Sequence, residues 1–349
     1  MLTWRFVGVV HAVATVMIEV AAVFNNAMML HLVPANRLGR LSGTGWAVGY
    51  AGGLVSLVLV LGFLAANPET GVTYFGLVPL FGLDPALREG DRVTGPLSAA
   101  WFVLFVLPLF LFTPDVTAAR RPFAEAVRTG LRQMAATVRE ARRDPTIARF
   151  LVANMIYQDG LVALFAFGGI YGAGVFGWGA LELGVFGILL TITGTIGAVV
   201  GGRLDDRVGA RPVILASLAV LIVICVGILS LGREQVLFVI AVAPPAAGDG
   251  LYGSVPEKAF VALGLGIGAV AGPLQAASRS LLARLVEPGA AARYFGLLAL
   301  SGKVTSFLAP LLVAIATEMA ATQAAGPAVL IGFFLAGGVL LGHGRPGAR

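Results

Sequence analysis

The sequence predicts an all-α, polytopic membrane protein with about nine transmembrane helices, and three observations predict it. First, 58% of the 349 residues are hydrophobic, 12% are charged and the mean hydropathy is +0.91. A soluble domain carries roughly twice that charged fraction, about 25%. Second, the apolar residues are gathered into runs long enough to cross a bilayer, which takes roughly 17–25 residues each. Third, the loops between those runs alternate in charge, as the positive-inside rule requires.

The runs fall at 6–30, 45–66, 96–113, 149–177, 181–202, 212–231, 256–284, 292–317 and 324–342. The first carries only His11 and Glu19 as titratable residues. The second and third carry no charged residue and stop at Asn67-Pro68 and Pro114-Asp115. The fourth holds Asp159, the seventh ends on Arg279 and Arg284, and the eighth holds Lys303. VLFVIAV (236–242) is too short to cross and runs into Pro244-Pro245, so it belongs to a loop. No signal peptide is expected, because neither a basic n-region nor a small-residue cleavage site flanks the first run.

Segments 31–44, 114–148 (with Arg149 at its edge), 203–211, 279–293 and the C-terminal tail hold 18 of the 24 basic residues and seven acids. The opposite loops hold five basic residues and nine acids. This places the first set in the cytoplasm, the N-terminus outside and the C-terminus inside. Trp4, Trp46, Trp101 and Trp178 fall near predicted span ends, where an aromatic belt puts them. The net charge of +6 is thereby explained by topology, and no nucleic-acid partner is expected. One cysteine, Cys225, excludes an intrachain disulfide. His11, His31 and His343 lack ligand spacing, so neither a metal nor a cofactor is expected.

Glycines recur at four-residue spacing inside spans: Gly49/Gly53, Gly168/Gly172, Gly197/Gly201 and Gly264/Gly268/Gly272. Such faces allow close helix packing in lipid. GLGLGIG lies within a span and follows no strand, so it is no nucleotide loop. Residues 114–148 differ from every other loop. Arginines alternate there with Phe123, Val127, Leu131, Met134 and Val138 at helical spacing, which predicts a basic amphipathic helix on the inner membrane surface. It divides the chain into a partial N-terminal bundle (1–115), a linker (116–148) and a six-helix C-terminal bundle (149–349).

LHLVPANRLGRLSGTGWAVGY (30–50) has a counterpart in LARLVEPGAAARYFGLLALSGK (282–303). Each leaves a span through Leu-Val and a proline and enters the next through an arginine and a glycine. The offset of six helices fits two parallel half-repeats, the first retaining its last three helices. Between the fifth and sixth spans stands GGRLDDRVGARP (201–212), with Gly202, Asp206, Arg207, Gly209 and Arg211 in a G-x-x-x-D-R-x-G-x-R pattern. Glycines there permit a tight turn. Asp206 is suited to pairing with an arginine or capping a helix, a contact that two conformations make and break. The alternative is a short charged loop that keeps the span ends in water.

That pattern resembles the signature loop of the major facilitator superfamily, departing from it at Ala210, where the family often has a basic residue. The stretches 23–54, 157–174, 271–285 and 295–312 narrow the likeness to the vacuole-effluxer-like permeases, relatives of the autophagy-related fungal vacuolar amino-acid exporter. The resemblance implies the two-bundle facilitator fold, apparent loss of its first three helices, and a bacterial cytoplasmic membrane. It also implies secondary transport by alternating access, with a small polar solute such as an amino acid or sugar and a coupling proton as partners. It puts Glu19, Asn26, Tyr157, Asp159 and Gln275 on candidate cavity walls and Arg279 nearer the cytoplasmic mouth.

Charges within spans are costly unless paired or facing a cavity. Asp159 is therefore read either as a substrate or proton site or as the structural partner of Lys303. Two other functions remain as expectations: a truncated, transport-incompetent remnant or misassigned start of such a transporter, and an intramembrane enzyme, which lacks every usual catalytic motif here.

Overall fold

The structure is a computed structural model that describes residues 2–113, 122–243, 250–320, 322 and 325–343. The belt position of Trp4, the Phe123 side chain of the amphipathic stripe, Arg120, Arg121, Pro244-Pro245 and the last six residues lie outside the described set. Among the described residues nine helical segments are long and apolar enough to cross a membrane, in the predicted order. The chain is an all-α integral membrane protein.

The helices run α1 (Leu2–Leu32), α2 (Leu38–Leu59), α3 (Glu89–Arg92), α4 (Thr94–Phe112), α5 (Phe123–Arg143), α6 (Pro145–Tyr171), α7 (Ala180–Val208), α8 (Ala210–Leu229), α9 (Val255–Leu285), α10 (Ala291–Val304), α11 (Leu308–Ala320) and α12 (Ala325–Gly342). Several outrun their apolar stretches. α7 continues to Val208 instead of stopping at residue 202, and α2 starts at Leu38 instead of residue 45. Hydropathy marks the part in lipid, whereas backbone hydrogen bonding carries the helix on into water. The signature segment is thus mostly helix, its turn reduced to Gly209 at φ +92°.

The chain divides into two compact units, residues 1–50 with 128–349, and residues 51–127. In the smaller unit a π-turn at Val60–Leu64 ends the second span. A Cβ at Gly62 would sit 2.5 Å from the Phe75 ring, and one at Gly90 2.3 Å from the Leu64 carbonyl, so glycine is what lets this loop close. α4 crosses with Pro108 inside it.

In the larger unit α6, α8, α9 and α12 form the buried core, and α7 lies along α9. The α7–α9 seam is built from the spaced glycines. A Cβ at Gly197 would meet the Ala269 carbonyl at 2.1 Å, one at Gly268 the Leu190 carbonyl at 2.4 Å, and one at Gly272 the Gly194 carbonyl at 2.7 Å. Gly49 and Gly53 have nothing within 4 Å, and Gly172 packs under Trp178, so those pairs make no such seam. Trp178 itself is 5% exposed, with its indole N–H donating to Glu257 at 2.8 Å. It is a core residue, not a belt residue.

VLFVIAV forms a small ribbon, β1 (Gln235–Val236) with β2 (Ile240–Ala241), turning through Leu237 and Phe238 at positive φ. α5 is amphipathic as expected. Thr137 and Ala141 are buried, and Met134 reaches within 3.4 Å of where a Gly296 Cβ would lie. The eighth span, expected to be continuous, breaks between α10 and α11. Pro310 lacks an N–H and crowds the carbonyl four residues back, at Ser306, inside the break.

Candidate functional site

Two polar clusters lie inside the larger unit, both where α2 meets the helices of the C-terminal half. The first surrounds the end of α7. Asp206 accepts hydrogen bonds from the backbone N–H of Gly39 at 2.8 Å and of Arg40 at 3.1 Å, and from Arg40 Nε at 3.1 Å. Those N–H groups belong to the first turn of α2, which has no intrahelical partner for them. Asp206 is thus an N-terminal cap supplied by a helix 167 residues away.

The approach needs glycines on both sides. A Cβ at Gly39 would lie 2.7 Å from Asp206 Oδ1, and one at Gly202 2.6 Å from the Gly39 carbonyl. Arg284, in the last turn of α9, joins the cluster. It binds Asp205, Asp206 at 3.4 Å and the Ala35 carbonyl at 3.3 Å. Asp205 is buried and also takes the Ser280 hydroxyl. Three helices are therefore latched together by two aspartates. Arg211 donates to the Gly342 carbonyl at 2.6 Å, closing the end of α12 instead. Arg207 stays exposed outside the latch.

The second cluster lies deeper and is centred on Arg279. Its Nη1 donates to Asn26 Oδ1 of α1 at 3.0 Å. Its Nε and Nη2 donate to the hydroxyl and carbonyl oxygens of Ser42 on α2, at 3.1 and 2.7 Å. The guanidinium stands 5.3 Å from the centre of the Trp46 ring, a cation–π contact. One turn before it, Gln275 donates to the Tyr50 hydroxyl at 3.0 Å.

Ser42, Trp46 and Tyr50 follow one another at four-residue spacing along α2 and face Gln275 and Arg279 at the same spacing on α9. Among the described residues no carboxylate pairs with Arg279, and the buried Trp46 indole N–H has no hydrogen-bond partner. The site offers a half-buried cation and a spare donor, both suited to an anionic group.

Of the candidate pathway residues, the structure bonds Arg279 to Asn26 and places Gln275 one turn before it on α9. Tyr157 is fully buried, its hydroxyl 2.7 Å from Ser278, so it belongs to the α6–α9 packing. The expected Asp159–Lys303 pair is not formed. Lys303 binds Glu19 at 2.9 Å, with both side chains partly exposed (58% and 36%). Asp159 is 2% exposed and faces the Thr305 side chain in the break between α10 and α11. The reason lies in that break. It leaves Lys303 on the side of α10 that meets α1 and turns Thr305 toward α6.

Sequence reasoning missed Ser42, Trp46, Tyr50, Asp205, Ser280 and Arg284. The four-residue spacing along α2 was the available signal. The place of Trp46 near a span end points to a belt residue, whereas its ring packs against the Arg279 guanidinium.

The two segments matched as a repeat share local geometry. α1 and α2 are joined by a 3₁₀ turn at Ala35–Arg37, and α9 and α10 by one at Pro288–Ala290.

The chain matches the family described as vacuole effluxer Atg22-like over residues 25–343. It is 21% identical to the MFS-type transporter YxiO of Bacillus subtilis, over 97% of this chain and 71% of that protein. It is 24% identical to Autophagy-related protein 22 of Yarrowia lipolytica, over 81% of this chain and 46% of that protein. Similarity to the same-named protein of Cryptococcus neoformans is also 24%, over 80% of this chain and 46% of that protein. The chain therefore spans under half the length of these fungal relatives.

Proposed function

Because the chain belongs to the vacuole effluxer Atg22-like family, we propose that it is a secondary transporter that moves a small carboxylate-bearing solute, such as an amino acid, by alternating access. The observation that carries the solute class is Arg279, a half-buried guanidinium that touches only neutral groups among the described residues. An unpaired cation within a span is costly unless something completes it, and a planar guanidinium matches a carboxylate in a two-pronged way. Ser42, Trp46, Tyr50, Asn26 and Gln275 then shape the pocket around the rest of the solute.

The Asp205–Asp206–Arg284 latch is read as the gate at the other end of the same α2–α9 seam. Its bonds to α2 are few, polar and close to water, as a contact that must open and reclose requires. Asp159 is assigned to the coupling proton, since it is buried within a span with no cation in contact among the described residues. The charge distribution supports placing the latch in the cytoplasm, the N-terminus outside and the C-terminus inside, in a bacterial cytoplasmic membrane. The functional division follows as residues 1–115, a linker at 116–148, and 149–349.

The test is uptake into proteoliposomes of a panel of amino acids, their decarboxylated amines and neutral sugars, with and without an imposed proton gradient. Amino acids are expected to be carried and the amines not. Arg279→Gln is expected to abolish uptake, and Asp159→Asn to uncouple it from the gradient. Amine or sugar uptake that survives Arg279→Gln would overturn the assignment of the carboxylate site.

A further inference from the structure

The outer surface of the glycine seam carries a feature that transport does not use. Beside the close contact that Gly197 and Gly201 make with α9, α7, α8 and α9 leave a groove of about 640 Å³ between them. Its walls are apolar and include Ile196, Val200 and Leu204 of α7, Val213 and Val220 of α8, and Pro273 of α9. Ile196, Val200, Leu204 and Val220 stand open to the surroundings. The groove runs along α7 from Thr193 to Val208, which at 1.5 Å per residue is roughly 22 Å. One leaflet of a ~30 Å hydrocarbon core supplies roughly 15 Å of chain depth, so the groove accepts one acyl chain over its full buried length.

At its mouth the chemistry changes sign. Arg203 and Arg207, one turn apart on α7, lie along the same edge of the helix as Ile196 and Val200. Both are exposed. Unlike Arg211 and Arg284, neither has a hydrogen-bond or ion-pair partner among the described residues. Two free guanidiniums above a one-leaflet apolar slot complement a phosphate joined to an acyl chain.

We propose that this groove is a binding site for an anionic glycerophospholipid of the leaflet that the α7–α8 turn faces. One acyl chain lies in the α7–α8–α9 groove and the headgroup phosphate on Arg203 and Arg207. The site backs onto the seam that holds α7 against α9. It is separate from the Arg279 cluster, so it stands or falls independently of the solute.

The experiment places the full chain in lipid nanodiscs containing phosphatidylglycerol, or phosphatidylcholine, with a photoreactive diazirine in one acyl chain, followed by peptide mapping. Phosphatidylglycerol is expected to label α7 between residues 193 and 208 and α8 between 212 and 220, and phosphatidylcholine far less. Arg203→Gln with Arg207→Gln is expected to weaken phosphatidylglycerol labelling roughly tenfold. Ala216→Trp, which fills the groove from an exposed position, is expected to remove labelling by both lipids. Val220→Trp is read in its place should Ala216→Trp not elute like the wild type. Equal labelling by the two headgroups, labelling unchanged in the double arginine variant, or a second copy of the chain crosslinked through this groove would each overturn the proposal.

Discussion

Asp206 does at the scale of one residue what no sequence window displays. Its carboxylate closes the first turn of α2 through two backbone N–H groups and pairs with Arg40 and Arg284. A side-chain cap of this kind is worth about 0.5–2 kcal/mol. The fit is narrow, since even a Cβ at Gly39 would come within 2.7 Å of Asp206 Oδ1. Asp206→Glu is therefore expected to be no milder than Asp206→Ala, because the extra methylene has no room and the carboxylate overshoots the N–H pair. Both should lower the thermal midpoint in detergent, with Asp206→Asn the mildest; a Glu variant as stable as the wild type would contradict a short-range cap. The capacity of Asp206 to cap or pair was legible from its type and its setting. The helix it caps was not, because Gly39 and Asp206 are far apart in sequence and meet only through packing. Asp159 shows the same limit. Its burial was readable from the apolar residues around it, while its partner depended on where the eighth span breaks.

Among the elements, spans were the most legible feature, since lipid imposes length and apolarity directly on the sequence. Helix ends were less so, because the polar first turn of α2 and the charged last turns of α7 remain helical beyond the apolar core. The break between α10 and α11 had a signal in Pro310, yet Pro108 and Pro273 sit inside unbroken helices. Proline alone thus did not locate it. Glycine spacing was legible as a type of surface but not as a choice of partner, and the α7–α9 seam gives that choice a test. Replacing a helical glycine by alanine gains up to about 1 kcal/mol in propensity, whereas forcing a Cβ into a packed backbone costs roughly 1–3 kcal/mol. Gly197→Ala and Gly268→Ala, whose new Cβ atoms meet carbonyl oxygens at 2.1 and 2.4 Å, should lower the thermal midpoint. Gly49→Ala, with nothing within 4 Å, should leave it unchanged or raise it. Equal effects at the three sites would mean that α7 and α9 do not meet along these glycines.

For the whole molecule, the two polar clusters occupy one seam, and this fixes which parts must separate if the chain opens. The latch at the ends of α2, α7 and α9 and the Arg279 cluster are about one to two helical turns apart along α2, from Gly39 to Ser42 and Trp46. Loosening the first should therefore expose the second. Ser42 is the reporter, being fully buried with its hydroxyl on the Ala276 carbonyl at 2.7 Å and on Arg279. Cys225 is the only native cysteine and is fully buried, so the labelling background is low. A Ser42→Cys variant should react slowly with a membrane-permeant maleimide, because the thiol is reached only when α2 leaves α9. Adding Asp206→Ala removes a cap worth about 1 kcal/mol, which at equilibrium multiplies the open population about fivefold and the labelling rate with it. A carried solute should then slow labelling in both backgrounds by filling the same space. If Asp206→Ala leaves the rate unchanged while the protein stays folded, the α2–α9 seam is a fixed interface. The moving surface would then have to be sought elsewhere.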